Sequence, residues 1–309
     1  EKKSANTQQS TAKQYPNIIT VVNETFADIK VLGDFKTNED YMPYFHSLKK
    51  NCVTGYTYAS IVGGQTANTE FELLTGNTLG FLSAGTTAFQ LYIHGQMPSL
   101  VSNLKAEGYS GNKAMHPFNP YNYNRPAVYK DFGFTDFIDK FDFPKNVKRV
   151  REYISDEANV DRIISEYEKN RKKTDQPFYM YNMTIQNHSP YDKDAANFKQ
   201  PIKIESSKYD AEANRYLNLI KYSDDSLKQL TSYFEKCKEP TIILFLGDHQ
   251  PRLTDEFMNK ITNGQYQTWS SEQMMKRYQV PFVIWANYDI KEQHIEKTSM
   301  NYMQSILTQ

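Results

Sequence analysis

Thr241-Ile242-Ile243-Leu244-Phe245-Leu246 runs directly into Gly247-Asp248-His249-Gln250-Pro251. An unbroken apolar and β-branched run with no polar alternation reads as a strand buried on both faces. Three more runs share the pattern: Asn17-Ile18-Ile19-Thr20-Val21-Val22 after Pro16, Phe178-Tyr179-Met180-Tyr181-Asn182-Met183-Thr184, and Pro281-Phe282-Val283-Ile284-Trp285-Ala286. Between them, apolar residues recur at helical spacing. Residues 97–106 carry Met97, Leu100, Val101 and Leu104; residues 159–168 carry Val160, Ile163, Ile164 and Tyr167. Residues 209–234 carry Tyr216, Leu217, Leu219, Ile220, Leu227, Leu230 and Phe234. Alternating buried strands and helices predict an α/β fold, a mostly parallel central sheet flanked by helices on both faces. The polar stretch 192–208 reads as a surface excursion.

The rest of the composition narrows the function classes. The 309 residues hold 36 Lys+Arg and 36 Asp+Glu, for zero net charge, which argues against a nucleic acid as the main partner. A mean hydropathy of −0.71 and the lack of any long apolar run exclude a membrane-spanning helix within these residues. Cys52 and Cys237 are too few for a disulfide framework and are not spaced as a zinc site. The polar opening Glu1-Lys2-Lys3-Ser4-Ala5-Asn6 reads as part of a linker over residues 1–15, ahead of one domain over residues 16–309.

Chemistry in such sheets gathers beyond the carboxyl ends of the strands. The first strand runs into Asn23-Glu24-Thr25, where Glu24 reads as a metal ligand or a solvated turn residue. Asp248-His249 offers a hard oxygen and an imidazole, suited to a divalent cation, or else a hydrogen-bonded loop pair; Gly247 reads as permitting a tight turn. Gly63-Gly64-Gln65-Thr66 leads into a short helix ending at Gly76, and Thr69 with Glu72 forms a T-x-x-E capping pattern. Thr66 is therefore either an N-cap or a nucleophile at a helix N-terminus, and a threonine nucleophile needs a metal or base beside it. His116 and Arg125 lie on a proline-broken aromatic loop, where Arg125 could clamp an oxyanion bidentately; His188 follows another strand.

Together these segments resemble the lipoteichoic acid synthase group of phosphoglycerol transferases in the alkaline phosphatase/sulfatase superfamily. The resemblance runs from about Asn17 onward. It rests on Glu24; Gly64-Gln65-Thr66 with Glu70; Asn124-Arg125 with Tyr129 and Phe132-Gly133-Phe134; Asn187-His188 with Pro190; and Gly247-Asp248-His249. It implies that Glu24, Thr66, Asp248 and His249 hold one divalent cation, usually manganese in the family, with magnesium or zinc as alternatives. It also implies Thr66 as nucleophile, a phosphoglycerol pocket lined by His116, Tyr123, Arg125 and His188, and a proton-moving or phosphate-holding role for His188 or His116. Lipoteichoic acid synthases carry tryptophan at the position of Tyr123 and aspartate at that of Phe118, and lysine is common at that of Gln65. The His116-Pro117 loop and the helix start at Thr66 look closer to relatives that decorate cell-wall polysaccharides.

The resemblance further implies a phosphatidylglycerol-like donor, a cell-wall or surface polysaccharide or polymer as acceptor, and catalysis at the extracellular face of a bacterial cytoplasmic membrane. Membrane helices are expected ahead of the linker. Phosphoethanolamine transfer, phosphodiester hydrolysis and non-catalytic glycan binding are the rival readings. Sulfate-ester hydrolysis through formylglycine needs a Cys or Ser in a C-x-P-x-R context, and Cys52-Val53-Thr54-Gly55-Tyr56 lacks the proline and the arginine.

Overall fold

The computed structural model describes residues 15–205 and 210–309. Residues 1–14 of the expected linker and 206–208 of the expected excursion lie outside the described residues. The strands are β1 (Asn17–Asn23), β2 (Cys52–Tyr58), β3 (Ser110–Met115), β4 (Asp136–Ile138), β5 (Arg149–Val150), β6 (Tyr153–Ile154), β7 (Phe178–Met183), β8 (Thr241–Gly247), β9 (Gln279–Ala286) and β10 (Gln293–Ser299). Eight form one sheet in the order β10-β2-β9-β8-β1-β7-β3-β4, while β5 and β6 make a separate hairpin. The centre is parallel: Ile19 of β1 lies opposite Met180 of β7 and Ile243 of β8. Strand β9 reverses direction and pairs antiparallel with both β8 and β2. The sheet is thus mostly parallel, as the sequence predicts.

Both faces are covered, which is why the central strands are predominantly apolar. Along β1, Ile19 and Val21 join a core with Ile163 and Leu217 from the helices Asp156–Arg171 and Ala211–Phe234. Ile18 and Val22 join a second core with Leu73, Val101 and Val128 from the helices Thr66–Thr75, Leu100–Ala106 and Arg125–Asp131. Caps fix the helix starts. Ser155 accepts from the Ala158 amide, so that helix begins earlier than its apolar stripe suggests, and Ser99 forms a capping box with Ser102. The stretch after Tyr191 is not merely a surface excursion. Phe198 and Ile202 are buried, and Asn218 holds the Ile202 backbone through both its amide nitrogen and its oxygen. Its polar majority hid two core residues.

The register puts the functional strand ends on one edge. Asn23 is level with Gly247, and Val22 with Met183, so Glu24, Thr184 and Asp248 emerge together. Gly247 serves this edge differently from the expected tight turn. Its φ is not in the left-handed region, but a Cβ there would collide with the Phe26 carbonyl. Glycine lets the chain after Glu24 cross directly over the end of β8. Gly247→Ala is therefore expected to cost about 1–3 kcal/mol through overpacking. Urea denaturation checks this, and an unchanged midpoint would contradict the close crossing.

Candidate active site

Glu24, Asp248 and His249 each offer one ligand atom, all within 4.8 Å of one another, and all three residues are buried. The His249 Nε2 lies 3.7 Å from Glu24 Oε1 and 3.2 Å from Asp248 Oδ2, without the alignment of a hydrogen bond. Both His249 Nε2 and Asp248 Oδ2 are buried with no hydrogen-bond partner among the described residues. His249 Nδ1 is 3.0 Å from the Gln250 carbonyl, so that nitrogen carries the proton and Nε2 presents its lone pair to the carboxylates. Burial, followed by the charge of Asp248, pushes the Glu24 carboxyl up to about 8. Two orphaned ligand atoms beside a desolvated carboxylate fit a divalent cation better than a hydrogen-bonded loop pair.

Thr25 holds this geometry from behind. Its amide donates to Asp248 Oδ1 at 2.6 Å and its hydroxyl to Glu24 Oε1 at 2.7 Å, while its carbonyl accepts from Tyr216 at 2.9 Å. It does so at φ 53°, an unusual conformation for a β-branched residue.

The helix Thr66–Thr75 begins at Thr66, with Gln65 in the N-cap position and making no side-chain cap. Gly63, Gly64 and Gln65 all have positive φ, which turns the chain sharply into the helix and sets Thr66 on the cleft wall. The Thr66 hydroxyl has no hydrogen-bond partner among the described residues, whereas Thr69 donates to the Asp248 carbonyl at 2.7 Å. The expected Thr69–Glu72 capping box is not formed. Glu72 instead accepts from Ser60 and from the Leu79 amide, because Thr69 lies inside the first turn and faces the β8 end.

A cleft of about 340 Å³ unites these groups with the remaining expected residues: Glu24, Thr66, His116, Tyr123, Arg125, His188 and His249 all line it, together with Gln90, Asn122 and Ser189. His116 is fully buried and Nδ1 faces the Met183 carbonyl at 3.0 Å; burial, then Arg125, holds its pKa well below the usual histidine range. It is a neutral acceptor. His188 is half-buried, with Nδ1 bonded to the Ser189 carbonyl at 2.6 Å. Its ring lies over Phe118, centroids 6.3 Å apart at 23°.

Arg125 reaches the cleft with one edge of its guanidinium already engaged. Its Nε and Nη2 already donate to Glu70 Oε1 at 3.1 and 2.6 Å, and Tyr129 and Tyr181 donate to Glu70 Oε2. Its Nη1 reaches the Asn122 carbonyl at 3.4 Å, with the Tyr123 ring 5.1 Å from the guanidinium, and both of those residues line the cleft. A further buried network has no sequence signal: Asp156 accepts from Asn23 at 2.8 Å and Ser223 at 2.7 Å, and Asn187 donates to Asn23 at 3.0 Å. It ties the residue before Glu24 to the residue before His188.

The family model described as Sulfatase matches residues 16–309. This chain belongs to the sulfatase family. The family name covers the domain and not the formylglycine chemistry, whose cysteine motif is missing here. A putative cyclic beta-1,2-glucan modification protein of Rhizobium meliloti (strain 1021) is 33% identical over 90% of this chain and 43% of its own length. The lipoteichoic acid synthase-like YvgJ of Bacillus subtilis (strain 168) is 27% identical over 75% of this chain and 36% of its own. The chain therefore spans less than half the length of these relatives. Among solved structures, the Streptococcus pyogenes phosphoglycerol transferase GacH in complex with sn-glycerol-1-phosphate superposes with a TM-score of 0.77 at 20% identity, over 94% of this chain and 73% of that one. That likeness establishes the shared fold. Within the described residues no helix is long and apolar enough to cross a membrane.

Three outcomes follow for this sulfatase-family domain. Adding Mn2+ at about 100 times its Kd should stabilise the wild type by about 2.7 kcal/mol. Asp248→Asn should abolish that shift while leaving the metal-free protein as stable or more so, because it relieves buried charge. Thermal melting with and without chelator checks both; a wild-type-sized Mn2+ shift in the variant would contradict the ligand set. Glu70→Ala should cost about 3–5 kcal/mol by leaving Arg125 charged and unpaired in the interior, again measured by denaturation.

Proposed function

We propose that this domain is a metal-dependent phosphoglycerol transferase. It would take glycerol phosphate from a phosphatidylglycerol-type lipid and pass it to a cell-surface glycan or polymer, through a glycerophosphoryl group on Thr66. The observation that carries this reading is the shared cleft: an uncommitted threonine hydroxyl at a helix N-terminus, beside Glu24, His249 and the buried Asp248. A divalent cation held by Glu24, Thr66, Asp248 and His249, with manganese favoured by the mixed oxygen and nitrogen donors and magnesium or zinc as alternatives, supplies a more acidic Thr66 hydroxyl and offsets phosphoryl charge.

The chain's own groups account for the rest. Thr66 Oγ bonds to phosphorus, the bond from phosphorus to the diacylglycerol oxygen breaks, and the proton lost from the hydroxyl ends on that oxygen. In the second step an acceptor hydroxyl oxygen bonds to phosphorus, and Thr66 leaves as a hydroxyl, regaining a proton. The first-turn amides of the Thr66 helix and the Nη1 side of Arg125 stabilise the transferring group. Neutral His116, with Nδ1 committed to Met183, accepts a hydrogen bond from a glycerol hydroxyl through Nε2. His188, partly open to the cleft and with Nδ1 committed to Ser189, moves the proton through Nε2.

The names of the relatives support the same class: one is named a putative cyclic beta-1,2-glucan modification protein, another is lipoteichoic acid synthase-like, and the GacH structure holds sn-glycerol-1-phosphate. A membrane-lipid donor and a surface acceptor put the reaction at the extracellular face of the cytoplasmic membrane, with an anchor outside this chain. Thr66→Ala is expected to lower release of diacylglycerol from phosphatidylglycerol in mixed micelles by roughly 10³-fold or more, with an unchanged melting temperature. Full turnover in that variant would refute the nucleophile.

A further inference from the structure

The β5–β6 hairpin stands apart from the main sheet, and its turn residue, Arg151, has φ 54°. Arg151 has no carboxylate within ion-pair distance among the described residues. Its guanidinium donates instead to three carbonyls of one loop: Nη1 to Pro190 at 2.8 Å, and Nη2 to Gln186 at 2.8 Å and His188 at 2.7 Å. The rings of Tyr153 and Tyr191 flank it at 5.2 and 5.8 Å. Asn197 fastens the hairpin in turn, donating to the carbonyls of Arg149 and Arg151 at 3.1 and 2.9 Å.

We infer that Arg151 is a positioning residue for His188, locking its loop so that the imidazole Nε2 stays directed at the transferring group. A charged fork used on backbone carbonyls is strong and rigid. It grips the residue two before His188, His188 itself, and the residue two after it. On the solvent side Ser189 and Pro190 are exposed, and among the described residues the ring has Phe118 and Tyr153 beside it, with the Tyr153 hydroxyl 3.4 Å from Nδ1. The buried amides of Gln186 and Asn187 secure the loop from below, where they meet the Asp156 network. Arg151 secures it from above. The inference rests on the proton-moving role given to His188.

The test compares wild type with Arg151→Ala, Arg151→Lys, His188→Ala and Arg151→Ala/His188→Ala. His188 is observed by NMR in protein labelled at the histidine ring carbons; the chain has six histidines, and His188→Ala assigns the signal. Arg151→Ala should shift or broaden the His188 signal and leave those of His46, His94 and His294 in place. It should lower kcat for diacylglycerol release about 10-fold or more with the donor KM within about twofold, and Arg151→Lys should recover only part of the loss. The double variant should be no slower than His188→Ala, since a residue that acts through another adds nothing once that other is gone. An unchanged His188 signal in Arg151→Ala, or an additive loss in the double variant, overturns the inference. If Arg151→Ala fails to fold, Arg151→Lys carries the same NMR comparison. Full turnover by His188→Ala would instead remove the role assigned to His188, while the NMR result still decides the link between the two residues.

Discussion

Two buried carboxylates facing one imidazole, with no cationic side chain between them among the described residues, form the constraint on which the rest of this structure depends. Glu24 and Asp248 come from adjacent parallel strands whose ends the register brings level, and His249 follows Asp248 directly. Desolvating two such charges is costly unless something positive joins them. Around them the chain holds several residues in the left-handed region. Thr25, Gln65, Tyr123 and Asn124 all have positive φ, and each lies in the cleft wall or beside a residue that does. Strain of this kind persists where surrounding packing over-determines it.

The supports come in layers. Thr25 bridges both carboxylates, Glu70 presets Arg125, and the Asp156 network joins the segments before Glu24 and His188. This arrangement changes the role of Arg125 in particular. A guanidinium bound along one edge by a buried glutamate is oriented before any substrate arrives, so it approaches an anion with a fixed direction and fewer donors. The two histidines likewise separate by environment. His116 is sealed and neutral, and His188 sits at the rim.

Much of this was legible in the sequence, for identifiable reasons. Strands β1, β7, β8 and β9 are buried on both faces and announce themselves as apolar runs. Strand β10 is largely exposed at the sheet edge and reads Gln-His-Ile-Glu-Lys-Thr-Ser, so no burial pattern marks it. Strand β3 is interrupted by Gly111 and Asn112 at positive φ, where its pairing with β7 shifts register. The site residues that follow strand ends or glycine turns could be picked out, since those places are where chemistry collects in such sheets. Thr25, Asp156 and Arg151 could not. They act through backbone groups and through partners far away in the chain, and nothing in their immediate sequence distinguishes them from ordinary polar residues.

The central claim is that Glu24, Asp248 and His249 form a cation site with the Thr66 hydroxyl as its fourth ligand. Crystals of the domain grown with Mn2+ and measured at a wavelength where manganese scatters anomalously test it most directly. One strong anomalous peak is expected, enclosed by Glu24, Asp248 and His249, with Thr66 Oγ turned toward it. A peak elsewhere with none at these residues, or an ion held there with Thr66 Oγ turned away, would contradict it.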